Sequence, residues 1–147
     1  MTKLTALTEE GIAQLVDTFY ARIRTDPVLG PVFDGQIAPD AWPRHLATMK
    51  RFWSSVMLTS GAYSGNPVGV HRGVPGLERP MFAHWLALFG QTAEDLFEAA
   101  PAAELLIKAK RIAFSLELAV FHRLGAPPDG LAPPPNGVAT QRALTCA

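Results

Sequence analysis

One imidazole stands among valines in the stretch Gly65-Asn66-Pro67-Val68-Gly69-Val70-His71-Arg72-Gly73-Val74-Pro75. The segment is short and rich in Gly and Pro, and an isolated helix of fewer than about 12 residues is marginal in water. Something other than its own backbone is therefore expected to hold it. The only cysteine, Cys146, is next to last in the chain, and no His and carboxylate spacing of the zinc or non-haem iron kind is present. His71 is thus the best-placed neutral-nitrogen donor for a metal, and haem iron is the metal that takes one such donor on one side of a flat ring. Val70 and Val74 can pack against an apolar macrocycle, while Gly69 and Gly73 allow the backbone to come close.

Tyr20, His45 and Trp85 are hydrogen-bonding side chains on otherwise apolar faces of three different helices. A buried Tyr hydroxyl or indole N–H without a partner costs about 1–3 kcal/mol, so several in one core imply a shared acceptor. A diatomic ligand carrying partial negative charge, as dioxygen does on iron, is such an acceptor. Carbon monoxide would gain less from the same donors. Phe33, Met49, Phe52 and Trp53 are the apolar wall that excludes water. Tyr63, in the loop leading to His71, and Met81, on the inner side of the next helix, complete the expected cofactor contacts. Taken singly, His71 is more often an ordinary loop residue, and His45, Tyr20 and Trp85 are more often ordinary core residues. Their order along the chain is what raises the expectation. His84 should point about 100° away from the inner face that Trp85 occupies, and His122 sits near the end of the last helix, so neither is assigned a role.

The elements that must position these groups read as helices. Thr8 can cap a first helix with Glu9 and Glu10 in its first turn, and Ile12, Leu15, Val16, Phe19, Tyr20 and Ile23 recur on one face. Asp26-Pro27 should start a short turn that Gly30-Pro31 ends, leaving Val32-Phe33 in a loop and Asp34-Gly35 as a turn. A second long helix is expected from an Asp40 cap, with Trp42, His45, Met49, Phe52, Trp53, Val56 and Met57 as its buried stripe and Gly61 as its stop. Arg79-Pro80 opens the next, which runs to about Glu98, with Met81, Phe82, Trp85, Leu88, Phe89 and Thr92 facing inward. Pro101 opens the last, whose apolar face carries Leu105, Leu106, Ala109, Ile112, Ala113, Leu116 and Val120 and ends near Gly125. No two-residue alternation is strong enough for a sheet, so the fold class is all-α.

At 147 residues and 48% hydrophobic composition, the chain fits one domain with a real core. The domain is read as 1–125, with 126–147 as a Pro-rich, disordered tail marked by Pro127-Pro128 and Pro133-Pro134-Pro135. The net charge is zero and no basic block exceeds Lys50-Arg51, which argues against nucleic acid and anionic membranes as partners. No apolar leader or membrane-length run is present, and the lone cysteine suits a reducing compartment, so a cytoplasmic location is expected.

The segments Phe19-Tyr20, Leu29-Gly30-Pro31-Val32-Phe33, Trp42-Pro43-Arg44-His45, Phe52-Trp53, Tyr63-Ser64-Gly65, His71 and Phe82-Ala83-His84-Trp85-Leu86-Ala87-Leu88-Phe89 resemble those of group III truncated haemoglobins. The resemblance spans about Leu7 to Gly125. It implies a shortened globin, with helices stacked two over two around haem b (iron protoporphyrin IX). It implies His71 as proximal ligand, Tyr20 and Trp85 as distal donors, and His45 as the distal gate. The absence of Gly-Gly pairs agrees with this group. Gly69, Gly73 and Gly76 imply a looser proximal side, and the tail lies beyond the resemblance.

The implied ligands are O2, CO and NO, bound reversibly. Nitric oxide dioxygenation or peroxide reduction are the enzymatic extensions, and with no dinucleotide fingerprint in the chain they would call on a separate reductase. A non-catalytic oxygen store or sensor is the alternative, and a haem-free helical interaction module is a third.

Overall fold

The computed structural model describes residues 2–72 and 74–122; the proposed tail, 126–147, lies outside the described residues. The first helix, α1 (Glu9–Thr25), begins as its sequence requires, with the Thr8 hydroxyl accepting from the Gly11 N–H at 3.0 Å. Ile12, Leu15, Val16, Phe19, Tyr20 and Ile23 are all buried, so the 3.6-residue period becomes one face of the core. Backbone bonds from the Leu4 N–H to the Leu96 carbonyl and from the Glu98 N–H to the Leu4 carbonyl, both 2.8 Å, tie the N-terminal segment over the junction of the last two helices.

The connection after α1 departs from the turns expected there. Residues Leu29–Gln36 form a helix, α2, which runs through both Gly30-Pro31 and Asp34-Gly35. Pro31 is the third residue of α2, where its missing N–H has no intrahelical partner to lose. Asp26 supplies the start: one carboxylate oxygen accepts from the N–H groups of Val28 and Leu29 at 3.0 and 2.8 Å. Gly30 permits the close packing of this corner, since a Cβ there would sit 2.9 Å from the Arg24 carbonyl oxygen.

A 3-10 turn, Pro39–Ala41, leads into α3 (Trp42–Leu58). Asp40 is therefore not a cap: the chain before α3 is already helical, and no side chain caps it. The stop is also earlier than Gly61. Thr59 takes the left-handed conformation at φ 52°, with Gly61 at φ 71° following it. The His71 segment is the short helix α4 (Pro67–Arg72), then come α5 (Pro80–Leu96) and α6 (Ala99–Glu117). α6 passes into a π-helical turn, Leu118–His122. α6 starts two residues before Pro101, which again occupies a first-turn position where proline costs no hydrogen bond.

α1 packs on α3 and α5, α5 packs on α6, and α4 rests on α6 and the π-helical turn. Phe19 is the centre, with its ring edge-on to those of Tyr20, Trp85 and Phe89 at 5.2–5.4 Å. Phe89 in turn stacks between Trp53 and Trp85 at 4.9 and 5.3 Å. Such aromatic pairs add about 0.5–1.5 kcal/mol each beyond their buried area, so this cluster fixes how α1, α3 and α5 meet. Among the described residues there is no strand, and no helix is long and apolar enough to cross a membrane.

Candidate functional site

Between the α1–α3–α5 cluster and the short helix α4 the packing opens into a cleft with about 780 Å³ of empty space, its open mouth included. Tyr20 from α1 and Phe33 from α2 form one side, and Met49, Phe52 and Trp53 from α3 another. Met81 and Trp85 come from α5, and Tyr63 and His71 close the remaining side. Nine of the residues singled out from the sequence thus share one cavity. The spacing explains much of this: Tyr20, Met49, Phe52, Trp53, Met81 and Trp85 lie on the inward stripes of α1, α3 and α5, and these stripes converge on the cleft.

His71 is held by its own helix. Its Nδ1 lies 2.7 Å from the Pro67 carbonyl oxygen, one turn earlier in α4. A carbonyl only accepts, so Nδ1 carries the proton and Nε2, on the opposite edge of the ring, keeps its lone pair. Burial holds the imidazole below its ordinary pKa, outweighing the Pro67 carbonyl, which favours the charged form. The neutral tautomer with a free Nε2 is the one a metal requires, and a backbone carbonyl on the other nitrogen is the usual orienting partner. Among the described residues no three His, Cys, Asp or Glu side chains gather as a metal cage.

The Tyr20 hydroxyl is pushed above its ordinary pKa by burial, so it stays a protonated donor. Its ring meets that of Phe33 edge-on at 6.0 Å, and both line the cleft. Trp85 offers an indole N–H, a donor only. Tyr63 is positioned by a bond from its N–H to the Ser55 hydroxyl at 2.8 Å and by an edge-on contact with Phe52.

Three of the expected contacts lie elsewhere. His45, Val70 and Val74 line a second, smaller cleft with about 430 Å³ of empty space, its open mouth included, together with Val32, Gln36 and Ile37. His45 is almost fully buried behind Tyr20, edge-on to its ring at 5.1 Å and to that of Trp42 at 5.3 Å. The two cavities meet at Phe33, His71 and Leu77, which line both. Sequence reasoning did not single out Leu29, Leu77, Phe82, Ile112, Ala113 or Leu116, which also line the larger cleft. Most were visible as inward-facing, but periodicity does not distinguish a residue packed against protein from one facing a cavity. Pro67 had a usable signal: it lies four residues before His71, the spacing at which a helical carbonyl meets a side chain.

Two basic residues of α3 are engaged. Lys50 pairs with Asp17 at 3.0 Å, and Arg51 donates to the Thr48 hydroxyl at 2.9 Å. His84, assigned no role from sequence, places Nε2 2.9 Å from both carboxylate oxygens of Asp26. It thereby joins the start of α5 to the α1–α2 corner.

Six helices without a strand among the described residues, built around an apolar cleft with one histidine on its edge, define a truncated globin. No protein-family model matches the sequence. The group 3 truncated haemoglobin ctb of Campylobacter jejuni is 31% identical over 113 residues, which is 76% of this chain and 89% of that protein. The crystal structure of the group III truncated haemoglobin from Campylobacter jejuni superposes with a TM-score of 0.78 at 29% identity, covering 82% of this chain and 96% of that one. The chain belongs to the group III truncated haemoglobins.

Proposed function

We propose that the protein binds haem b and reversibly takes up O2, CO and NO, with His71 as the protein ligand of the iron. The observation that carries this is the 2.7 Å contact between Nδ1 of His71 and the Pro67 carbonyl on the edge of an apolar cleft. It leaves Nε2 as a neutral donor at a surface otherwise suited to an apolar macrocycle. Bound there, haem would supply an iron able to take a diatomic gas.

The rest of the work falls to the chain. Phe33, Met49, Phe52 and Trp53 exclude water from the cleft, with Tyr63 and Met81 completing its walls. Tyr20 and Trp85 donate hydrogen bonds to a ligand that carries negative charge, and Tyr20 keeps its proton because ionising it in this apolar setting is unfavourable. His45, pressed against Tyr20 at 5.1 Å, acts as the gate beside it. Val70 and Val74 flank the ligand histidine from the second cavity.

Absorption spectra of the ferric, ferrous and ferrous-CO forms, recorded beside His71→Ala, test this reading. A histidine-ligated ferrous spectrum in the parent, lost in the variant, supports it. Failure to take up haem stoichiometrically would return the chain to the haem-free helical module.

Oxidation of nitric oxide to nitrate, or reduction of peroxide, is a further reading favoured by the polar pair Tyr20 and Trp85 in one cleft. Sustained turnover in either reaction needs electrons from a separate reductase. Stopped-flow mixing of the oxygenated protein with nitric oxide decides the first: nitrate formed in step with loss of the oxy spectrum supports it. A store or sensor instead shows slow oxygen release and no multiple turnover with any reductant.

A further inference from the structure

Among the described residues three large apolar side chains stand well into solvent, Val28 at 41%, Ile107 at 51% and Phe114 at 64% exposure. Scattered exposed hydrophobics are ordinary. Ile107 and Phe114, however, lie seven residues apart in α6, which puts them on one face two turns apart. Ala100 and Ala103, also exposed, continue that face toward the start of the helix. At about 100° per residue, these four side chains fall within a strip about 60° wide. Glu104 and Arg111 border the strip on one flank, again seven residues apart and exposed. Neither takes part in an ion pair among the described residues.

This strip is complementary to itself when reversed. Two copies of a helix packed antiparallel about a two-fold axis set each flank against the same flank of the partner, and the contact of residue i with residue j occurs twice. An axis passing between Ile107 and Lys108 is equidistant from Glu104 and Arg111. It therefore sets each Glu104 opposite the partner's Arg111, making two reciprocal ion pairs. The same axis brings Ile107 beside the partner's Ile107, and it lays Phe114 over the partner's Ala100 and Ala103. A ring meeting two small side chains is a fit of ridge into groove. On the other flank Lys110 finds no acid opposite it, which keeps the association modest.

We propose that the outer face of α6 is a self-association surface, on which two copies pack antiparallel through Ile107 and Phe114 and are held in register by reciprocal Glu104–Arg111 pairs. One helix from each side makes a contact at the small end of specific interfaces, so the dimer forms and dissociates with concentration.

Sedimentation equilibrium of the full-length, haem-loaded protein over about 5–500 μM, a range that spans micromolar to submillimolar Kd, tests this. The parent is expected to show a reversible monomer–dimer equilibrium. Phe114→Lys, Glu104→Arg and Arg111→Glu should each weaken it at least about tenfold, a change of about 1.4 kcal/mol. An equimolar mixture of Glu104→Arg and Arg111→Glu should regain the dimer, because every pairing across the axis is then between opposite charges. All three sites are on the surface, and circular dichroism checks that the variants are folded. A parent that stays monomeric at the top of the range overturns the proposal, as does a dimer indifferent to these substitutions. A monomeric parent whose α6 face is protected from hydrogen exchange would assign the strip to residues of the same chain beyond His122.

Discussion

Nδ1 of His71 is bonded to the carbonyl oxygen of Pro67 at 2.7 Å, so the helix that carries the imidazole also chooses its tautomer. Replacing His71 with Ala removes the Nε2 donor and leaves the apolar cleft in place. The variant is expected to retain helical circular dichroism but to lose the histidine-ligated ferrous spectrum. Added imidazole, entering the vacated space, should restore part of that spectrum. Unchanged spectra in the variant would move the ligand elsewhere.

Tyr20 faces the cleft with its hydroxyl held protonated by burial. A hydrogen bond to a charged acceptor is worth about 1.5–3 kcal/mol, so Tyr20→Phe should speed oxygen release about 10- to 100-fold. Carbon monoxide release should change far less. Flash photolysis and stopped-flow displacement measure both rates, and equal effects on the two gases would argue that Tyr20 acts by shape alone.

Asp26 joins three parts of the molecule: it caps α2 through the Val28 and Leu29 N–H groups and meets His84 on α5. Burial opposes its charge, but the Leu29 N–H, the His84 ring and the Val28 N–H together hold its pKa below the ordinary carboxylate value. The unfolded chain therefore takes up this proton first as pH falls. The stabilisation is fully present above about pH 3.9 and is lost as pH falls through the folded-state value. Asp26→Ala should lower stability by about 0.5–2 kcal/mol near neutral pH, the usual cost of a lost cap. The urea midpoints of parent and variant should converge as the pH is taken below about 4. A gap that does not shrink would show that the carboxylate charge is not what matters at this corner.

Gly30 is the close approach between α1 and α2, with the Arg24 and Ile23 carbonyl oxygens 2.9 and 3.2 Å from where a Cβ would stand. Backbone atoms cannot swing aside as a side-chain tip can. Gly30→Ala should therefore destabilise by about 1–3 kcal/mol even though alanine is the better helix former. Because Leu29 and Phe33 line the cleft from the same helix, haem retention should fall too. Urea titration and the rate of haem transfer to an acceptor protein check the two effects separately.

The long helices were legible because each carries enough apolar residues at helical spacing to reveal its buried face. α1 begins at Thr8 and buries Tyr20, and α5 buries Phe82 and Phe89, as their patterns predict. α2 was not legible. Its eight residues are too few for a period to show, and Gly30-Pro31 at its start resembles a stop because the same residues serve both ends of helices. Asp40 failed as a cap for a related reason: the preceding turn is itself helical, which no side-chain preference at one position reveals.

For the site, the residue types and inward faces came from the sequence, but the neighbours did not. Tyr20 and Trp85 share the larger cleft with His71, while His45, equally inward on α3, packs against Tyr20 and lines the smaller one, which His71 also reaches. Asp26 and His84 meet across 58 residues. Helical periodicity states where a side chain points relative to its own axis, whereas its partners depend on how that axis crosses the others and where the loops let it lie. The sequence by itself determined an all-helical chain with one strategically flanked histidine and three inward donors. Only the tertiary structure decided which donors share the larger cleft with that histidine and which the smaller, because the crossing of α1, α3 and α5 is set by non-local packing of Phe19, Trp53 and Phe89.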